Sequence, residues 1–455
     1  MVRNTDILEL INNIKGKRVA VVGIGVNNIP LIRFLVKRGA NVTAFDQKAA
    51  KDLGIIYNDL KQIGITFSLG KNYLNKLTQK IIFKSPGIPF SIPEIQNAMA
   101  DGAFITSEIE VFMTLCPCAV IGVTGSDGKT TTSTIIAKML EDAGQKVWLG
   151  GNIGKPLIDE LENISPNDKV VLELSSFQLQ NCRVSPRVAV VTNISPNHLD
   201  HHADMQEYVD AKKNIFLHQD EMGILVTNSD NAITNNFRGH GALRKFSRFS
   251  EVESGCYLKD GDIHFKDEMG DFVAMQVADI KIPGAHNVEN FMAAIAAVAD
   301  FAGLKSMKEV AQTFNGVPHR IEFVREFKAI KFYNDSIATT PSRTMAGLKA
   351  FDKKVILIAG GYDKKIPFDD FGKAACENVK HLHLLGVTAD KIAAAVGDSV
   401  TITKYDNLKE ATIGAAETAA DGDIVLLSPA CASYDMFRNF EERGNYYKMV
   451  VDELR

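Results

Sequence analysis

An α/β architecture of about three domains is what this sequence predicts, at roughly 150 residues per domain over its 455 residues. Two patterns carry the α/β reading. Apolar strands ending in glycine and followed by helical stretches recur from end to end. One of these units holds a glycine loop of the phosphate-binding kind. A content of 45% hydrophobic and 23% charged residues excludes a disordered or fibrous chain. The balance of 51 Lys and Arg against 55 Asp and Glu gives a net charge of -4, which excludes a general nucleic-acid-coating protein. No apolar run reaches the ~20 residues that span a membrane, so no membrane partner is expected. The opening MVRNTDILEL has an early acidic residue and no long apolar core, so no export leader is expected either. Six cysteines are too sparse for a disulfide framework, and Cys116 and Cys118 do not match paired zinc spacing; free thiols in a reducing cytosol are expected.

The elements follow in order. Residues 18–24 (RVAVVGI) form a continuous apolar run ending at a glycine, the mark of a buried parallel strand. Residues 31–38 read as an amphipathic helix and 41–45 (NVTAF) as the next strand, closed by Asp46. Gly23-Ile24-Gly25 with Asp46 is a nucleotide-type turn, in which glycines admit phosphate and a carboxylate reaches ribose hydroxyls. Asn28 holds the third glycine position, which predicts looser helix–strand packing. A nucleotide moiety other than NAD or FAD, one of those dinucleotides, and a purely structural turn all stay open here. The second block opens at strand 119–123, continues through TGSDGKTTT, and enters a helix over 133–142. Strands at 170–174 and 188–192 follow, then a helix containing 208–213. The third block starts near Val317, with strands at 354–359, 380–385 and 423–427. Domain boundaries are expected near 106 and 316, giving segments 1–106, 107–316 and 317–455.

The loop 124–130 carries the chemistry most directly. Backbone N–H groups at a helix N-terminus attract phosphate, Lys129 reaches the β- and γ-phosphates, and the Thr130 hydroxyl suits Mg2+. The Walker pattern would place glycine at Val123; the glycines here are Gly122 and Gly125. Glu173 ends a strand at the sheet's ligand edge and fits a Mg2+ ligand or water orienter, against a solvated strand-end carboxylate. The stretch 193–202 (NISPNHLDHH) holds three histidines and two nearby carboxylates, Asp200 and Asp204. A zinc site, one functional histidine beside bound Mg2+, and a solvated loop are the alternatives. By spacing alone Lys212 is a surface lysine, since an ammonium repels Mg2+.

Nine blocks in order resemble the Mur ligases, ATP-dependent amide-forming enzymes of peptidoglycan synthesis. They are TGSDGKTTT (124–132), GGNIG (150–154), ELSSFQL (173–179), NISPNHLDHH (193–202), YVDAKK (208–213), GAHNVEN (284–290), PHRIE (318–322), NDSIATT (334–340) and LSPACASYDMFRNFEERG (427–444). The last is similar to the family's D-glutamate-adding branch. The resemblance implies an N-terminal Rossmann-like domain for a UDP-linked substrate, a central phosphate-loop ATPase with a mostly parallel sheet, and a C-terminal Rossmann-like domain for the amino acid. It implies joining D-glutamate to UDP-N-acetylmuramoyl-L-alanine through an acyl phosphate, with ATP and two Mg2+ ions, in a cytoplasmic monomer.

Residue by residue, the resemblance puts Lys129, Glu173, His198 and Lys212 in the catalytic centre. Thr130, Glu173, His198 and a carbamylated Lys212 serve the metal, which overturns the surface reading of Lys212. ATP falls to Gly125, Ser126, Asp127, Gly128, Lys129, Thr130 and Thr131, with Asn287, Asn290, Arg320 and Asp335. The UDP-linked substrate falls to Val26, Asn27, Asp46, Lys48, Gly87, Asn152, Ser175, Gln178 and His198. D-glutamate falls to Thr339, Lys364, Ser433 and Phe440. The chain departs from the family pattern at Ile337, where lysine is common, at Lys365, where glycine is common, and at Lys48, where some members carry arginine. Lys365 therefore competes with Lys364 for the amino-acid carboxylate. Competing readings are another amino-acid ligase of folylpolyglutamate-synthase type, a phosphate-loop switch that binds a protein, and an NAD-dependent oxidoreductase.

Overall fold

A computed structural model describes residues 4–196 and 202–455. They form two compact units, drawn from residues 1–277 with 288–310 and from residues 278–287 with 311–455.

In the first unit, β1 (Arg18–Val22), β2 (Asn41–Asp46), β3 (Thr66–Leu69), β4 (Ile81–Lys84) and β5 (Phe104–Thr106) form a parallel sheet in the order β3-β2-β1-β4-β5. Alternate residues of β1 feed two cores, Val19 and Val21 one, Ala20 and Val22 the other, which is why the run is apolar throughout. The chain winds outward from β1 to β3 and returns to β4, so strand order reverses between β1 and β4. Ligand crevices open at the carboxyl ends of such a pair. The following helix is Asn28–Lys37, starting three residues before the predicted one. Looser packing at Asn28 is not what is found. Its side chain is buried, and its Nδ2 donates to Gly23 O at 2.9 Å and Val22 O at 3.4 Å, so the amide fastens the turn instead of wedging it open.

The central sheet contains β6 (Ala119–Thr124), β7 (Val147–Gly151), β8 (Lys169–Glu173), β9 (Val188–Val191), β10 (Ile224–Asn228), β11 (Ala242–Ser247), β12 (Gly255–Lys259), β13 (Asp262–Asp267) and β14 (Gly270–Gln276). Its order is β14-β13-β12-β11-β10-β9-β6-β8-β7, parallel from β7 to β12 and antiparallel over β12, β13 and β14. The helix after β6 is Lys129–Asp142, not 133–142 as the sequence pattern predicts. Gly128, at φ 78°, turns the chain straight into the helix, and the Thr-rich first turn hides its apolar stripe until Ile135.

Glu110, in the helix Glu108–Leu115, ties the first two sheets together. Its carboxylate accepts from the Arg183 backbone N at 2.7 Å, Arg183 Nε and Nη2 at 3.1 Å each, and Thr106 Oγ1 at 2.7 Å. Arg183 Nη2 also reaches Ile105 O at 2.6 Å. The Glu110 side chain is only 2% exposed, so truncation leaves the Arg183 guanidinium without its counter-charge and two other donors without an acceptor. Glu110→Ala should cost about 3 kcal/mol in urea unfolding; a loss below about 1 kcal/mol would mean the pair is a surface decoration.

The second unit holds β15 (Glu322–Phe327), β16 (Ile330–Asn334), β17 (Val355–Gly360), β18 (Val379–Leu385), β19 (Thr401–Tyr405) and β20 (Ile424–Leu427). The order is β15-β16-β20-β17-β18-β19, antiparallel only at β15–β16. Val355, Leu357 and Ala359 pack into one core and Ile356 and Ile358 into the other, as a strand covered on both faces requires. The α/β class with mostly parallel sheets therefore holds throughout.

Candidate nucleotide and ligation site

The phosphate loop lies between β6 and the helix Lys129–Asp142. At Gly125, φ is 151° and a Cβ would lie 1.9 Å from Thr192 Oγ1. At Gly128, φ is 78° and a Cβ would lie 2.4 Å from Asn290 Oδ1. Only glycine lets the backbone come this close to its neighbours. The loop is held from several sides. Ser126 Oγ shares a 3.0 Å hydrogen bond with Tyr208 OH, accepts from Ser195 N at 2.9 Å and reaches Ser195 O at 2.9 Å. Thr192 Oγ1 donates to Asp127 O at 2.6 Å, and Asp127 N donates to Asn193 Oδ1 at 2.9 Å. Thr132 Oγ1 meets Asn290 Oδ1 at 3.2 Å, which brings Asn290 to the loop. Thr130 and Thr131 sit in the helix's first turn, the latter buried. Gly125→Ala should displace the loop and cut nucleotide-dependent turnover by at least about a hundredfold; wild-type turnover would show that the loop is not held this tightly.

Lys129 Nζ donates to Gly125 O at 2.9 Å and Ser126 O at 2.8 Å, folded over the carbonyl side of the same loop. Glu173 ends β8 beside β6, in register with Val123, and is buried. Its Oε1 accepts from Asn152 Nδ2 at 2.9 Å, while Oε2 makes no hydrogen bond among the described residues. A buried carboxylate oxygen left open is a ready hard donor for Mg2+.

Lys212, expected at the surface by spacing alone, is 1% exposed. Its Nζ donates to Gly125 O at 2.8 Å and Thr124 Oγ1 at 3.3 Å and lies 4.8 Å from the Tyr208 ring centroid. Burial first, then the Lys129 ammonium, push it well below the ordinary lysine range, while Glu173 and Asp127 pull the other way. The helix that carries it, Met205–Lys213, is capped by Asp204, whose side chain accepts from Glu207 N. Tyr208, a loop-holding residue the sequence reading did not single out, is one turn before Lys212. That i, i+4 spacing was the signal for it. His198, with Asp200 and His201, lies outside the described residues. His202 is buried, shares a 3.0 Å hydrogen bond with Ser176 Oγ, and stacks on Phe177.

The uridine-side candidates gather at the carboxyl edge of the first sheet. Asp46 is buried; its Oδ2 accepts from Ile24 N at 2.7 Å and its Oδ1 from Lys48 N at 2.9 Å. The carboxylate thereby organises the turn as well as facing the edge. Val26, Lys48 and Gly87 are exposed there, and Asn27 precedes the helix Asn28–Lys37. Ser175 and Gln178 form a capping box at the short helix Ser176–Leu179: Ser175 N donates to Gln178 Oε1 at 3.0 Å, and Gln178 N to Ser175 Oγ at 3.2 Å. A small crevice of about 20 Å³ is lined by Lys84, Pro86, Phe90, Glu110, Phe177 and Gln178.

In the second unit, Lys364 Nζ donates to Thr339 Oγ1 at 3.2 Å, which unites two D-glutamate candidates. Burial, then Arg343, lowers the Lys364 pKa. Lys365 is exposed at φ 59°, its N–H bonded to Asp363 Oδ1 at 2.7 Å. Ser433 is buried, and Phe440 makes an edge contact with His319 at 5.9 Å between centroids. Asn287 Nδ2 donates to Pro283 O at 2.6 Å. Asp335 accepts from Ser428 Oγ at 2.7 Å and Ile321 N at 3.3 Å. Burial outweighs these bonds and the nearby Arg320 and Arg343, and raises Asp335 from 3.8 to about 7. A raised carboxyl favours the folded state in its protonated form, so that contribution is full below 3.8 and is lost as pH rises through about 7. Asp335→Asn should flatten the fall in urea midpoint across this window; a wild-type midpoint that does not fall there would refute the assignment.

Residues 123–298 match the Mur ligase middle domain, 319–431 the Mur ligase glutamate ligase domain, and 17–107 the MurD-like N-terminal domain of Mur ligases. The chain belongs to the Mur ligase family. Among its relatives, a UDP-N-acetylmuramoylalanine–D-glutamate ligase of Acetivibrio thermocellus is 50% identical over 99% of this chain and 99% of its own. A ligase of the same name from Clostridium perfringens is also 50% identical over 99% of each chain. The fold is shared with UDP-N-acetylmuramate-alanine ligase of Thermotoga maritima, at TM-score 0.54 and 19% identity over 96% of this chain and 98% of that one. It is shared too with a UDP-N-acetylmuramoyl-L-alanyl-D-glutamate–2,6-diaminopimelate ligase, at TM-score 0.55 and 17% identity over 97% and 93% of the two chains.

Proposed function

We infer that this chain is an ATP-dependent ligase that joins D-glutamate to UDP-N-acetylmuramoyl-L-alanine in peptidoglycan precursor synthesis. The observation that carries the reading is 50% identity over 99% of the chain to ligases named for that reaction. The phosphate loop and the buried Glu173 and Lys212 supply suitable chemistry beside it. We assign residues 1–106 to the UDP-linked substrate, 107–316 to ATP and 317–455 to the amino acid.

The substrate carboxylate attacks the γ-phosphorus of ATP, giving an acyl phosphate and ADP. The amine of D-glutamate then attacks the acyl carbon, passes a proton to solvent and expels phosphate. Each step gathers negative charge on phosphoryl or acyl oxygens, so electrostatic positioning is the catalytic need. Lys129 meets it by leaving the loop carbonyls it now holds and turning its ammonium to the phosphates. The amides of residues 125–131 cradle the same oxygens. Thr130, Glu173, His198 and Lys212, once carbamylated, would hold Mg2+, with two ions proposed; bound there, Mg2+ neutralises phosphoryl charge. Asn287, Asn290, Arg320 and Asp335 are assigned to the nucleotide's adenosine side. Val26, Asn27, Asp46, Lys48 and Gly87 are assigned to uridine, and Asn152, Ser175, Gln178 and His198 to the muramoyl side. Lys364, with Thr339, Ser433 and Phe440, is assigned to D-glutamate, where an ammonium pairs with a carboxylate. We propose a cytoplasmic monomer; among the described residues no helix is long and apolar enough to cross a membrane.

A panel of amino acids offered with ATP and UDP-N-acetylmuramoyl-L-alanine tests the reading. Phosphate release should require both co-substrates and be greatest with D-glutamate. Release with another amino acid and not D-glutamate would move the chain elsewhere in the family. Release independent of any acceptor would favour a nucleotide switch.

A further inference from the structure

Lys84 is the last residue of β4 and is only 4% exposed. Among the described residues no carboxylate pairs with it. Its ammonium donates to Ser85 O at 3.0 Å and Ile88 O at 2.5 Å and sits 4.2 Å from the Phe90 ring centroid. An ammonium taken out of water for two carbonyls and a ring is costly, and a methionine would fill the space without that penalty. Burial also pushes its pKa down to about 8.

What the cation achieves is a fixed turn. Ile88 N donates to Ser85 O at 3.1 Å, and Lys84 Nζ grips the carbonyls at both ends of that turn. Ser85 N donates to Val22 O at 2.9 Å, which anchors the turn on the end of β1. Gly23 approaches so closely that a Cβ there would lie 2.8 Å from Ser85 Cβ. The turn thus sits at the β1/β4 reversal, with Gly87 exposed at its tip and Lys84, Pro86 and Gln178 lining one crevice.

We propose that Lys84 is a positioning residue for the UDP-linked substrate, clamping the turn 85–88 so that Pro86 and Gly87 present a preformed edge to the uridine group. The inference rests on the uridine assignment of the first sheet. Preorganising a binding edge lowers the ordering cost of association, so its loss appears in ground-state binding and not in the chemical step.

The test is Lys84→Met in the full chain, with calorimetry of UDP and steady-state kinetics. UDP affinity should fall and KM for UDP-N-acetylmuramoyl-L-alanine should rise, each by about tenfold, with kcat and KM for ATP within about twofold of wild type. Lys84→Gln, which keeps one donor, should show about a threefold effect and replaces the Met variant if that does not fold. Unchanged UDP affinity in whichever variant folds would overturn the role of Lys84. So would parallel losses for UDP and ATP with a lowered thermal midpoint, which mark general destabilisation. Wild-type protein that fails to bind UDP would overturn the uridine assignment and this inference together.

Discussion

Lys129→Ala is expected to lose co-substrate-dependent phosphate release by about a thousandfold or more, with a thermal midpoint close to wild type. The asymmetry follows from what the side chain does in each state. Without nucleotide its Nζ bonds to Gly125 O and Ser126 O, at 2.9 and 2.8 Å, and water can replace it there because the residue is half-buried. Such exchanges are worth about 1 kcal/mol each. With nucleotide bound as proposed, the same ammonium would face the oxygens on which charge develops, where a preorganised cation acts most strongly. Turnover near the wild-type rate would remove Lys129 from the reaction and with it the phosphate-loop reading. A large fall in midpoint would instead mean the loop depends on the lysine to fold.

Lys212→Ala should be nearly as damaging, by about a hundredfold or more, and formate or acetate should restore part of the activity. The side chain is 1% exposed and bonded to one carbonyl and one hydroxyl, an uncomfortable place for an ammonium. A neutral amine is comfortable there and is the form that adds CO2, giving a carbamate and releasing a proton to solvent. The product would be an anionic oxygen ligand where a cation would repel Mg2+. Native mass spectrometry should find the wild-type chain heavier by one CO2, and labelled bicarbonate should give a carbamate carbon resonance. An unmodified mass together with no rescue by short acids would refute carbamylation while leaving the ligase assignment standing.

The strands that read most clearly in the sequence are those whose apolar run is covered on both faces, such as β1, β6 and β17. Glycine or a charged residue marks their ends, and burial on both faces leaves no polar positions to blur the run. The helix after the phosphate loop was readable only from its second turn, because its first turn is polar although Thr131, Thr132 and Ser133 are buried. Strands β11 to β14 carry little signal: the hairpin β13–β14 mixes exposed apolar residues such as Met269 and Val273 with charged ones, whereas β10 is buried throughout. Among site residues, the glycine loop was legible locally because its geometry is sequence-local. Lys212 and Lys84 were not, since burial of a lysine depends on what other elements place over it. Asn28 shows the opposite limit: a residue that breaks a local pattern can satisfy the same geometric need by hydrogen bonding.

The Glu110–Arg183 clamp bears on how this chain can be taken apart or recombined. Ile109, Val111 and Phe112 lie in one continuous core with Val19 and Leu31 on one side and Leu172 and Val191 on the other. Lys37 also meets Glu162 at 2.7 Å. A graft that swaps the first 107 residues for those of a relative would therefore sever a shared interior, although the family boundary falls there. A viable chimera would have to bring matching partners for Glu162 and Glu110, the parts Lys37 and Thr106 play here. Protein engineers who wish to exchange parts of this chain should treat the first two sheets as a single cassette.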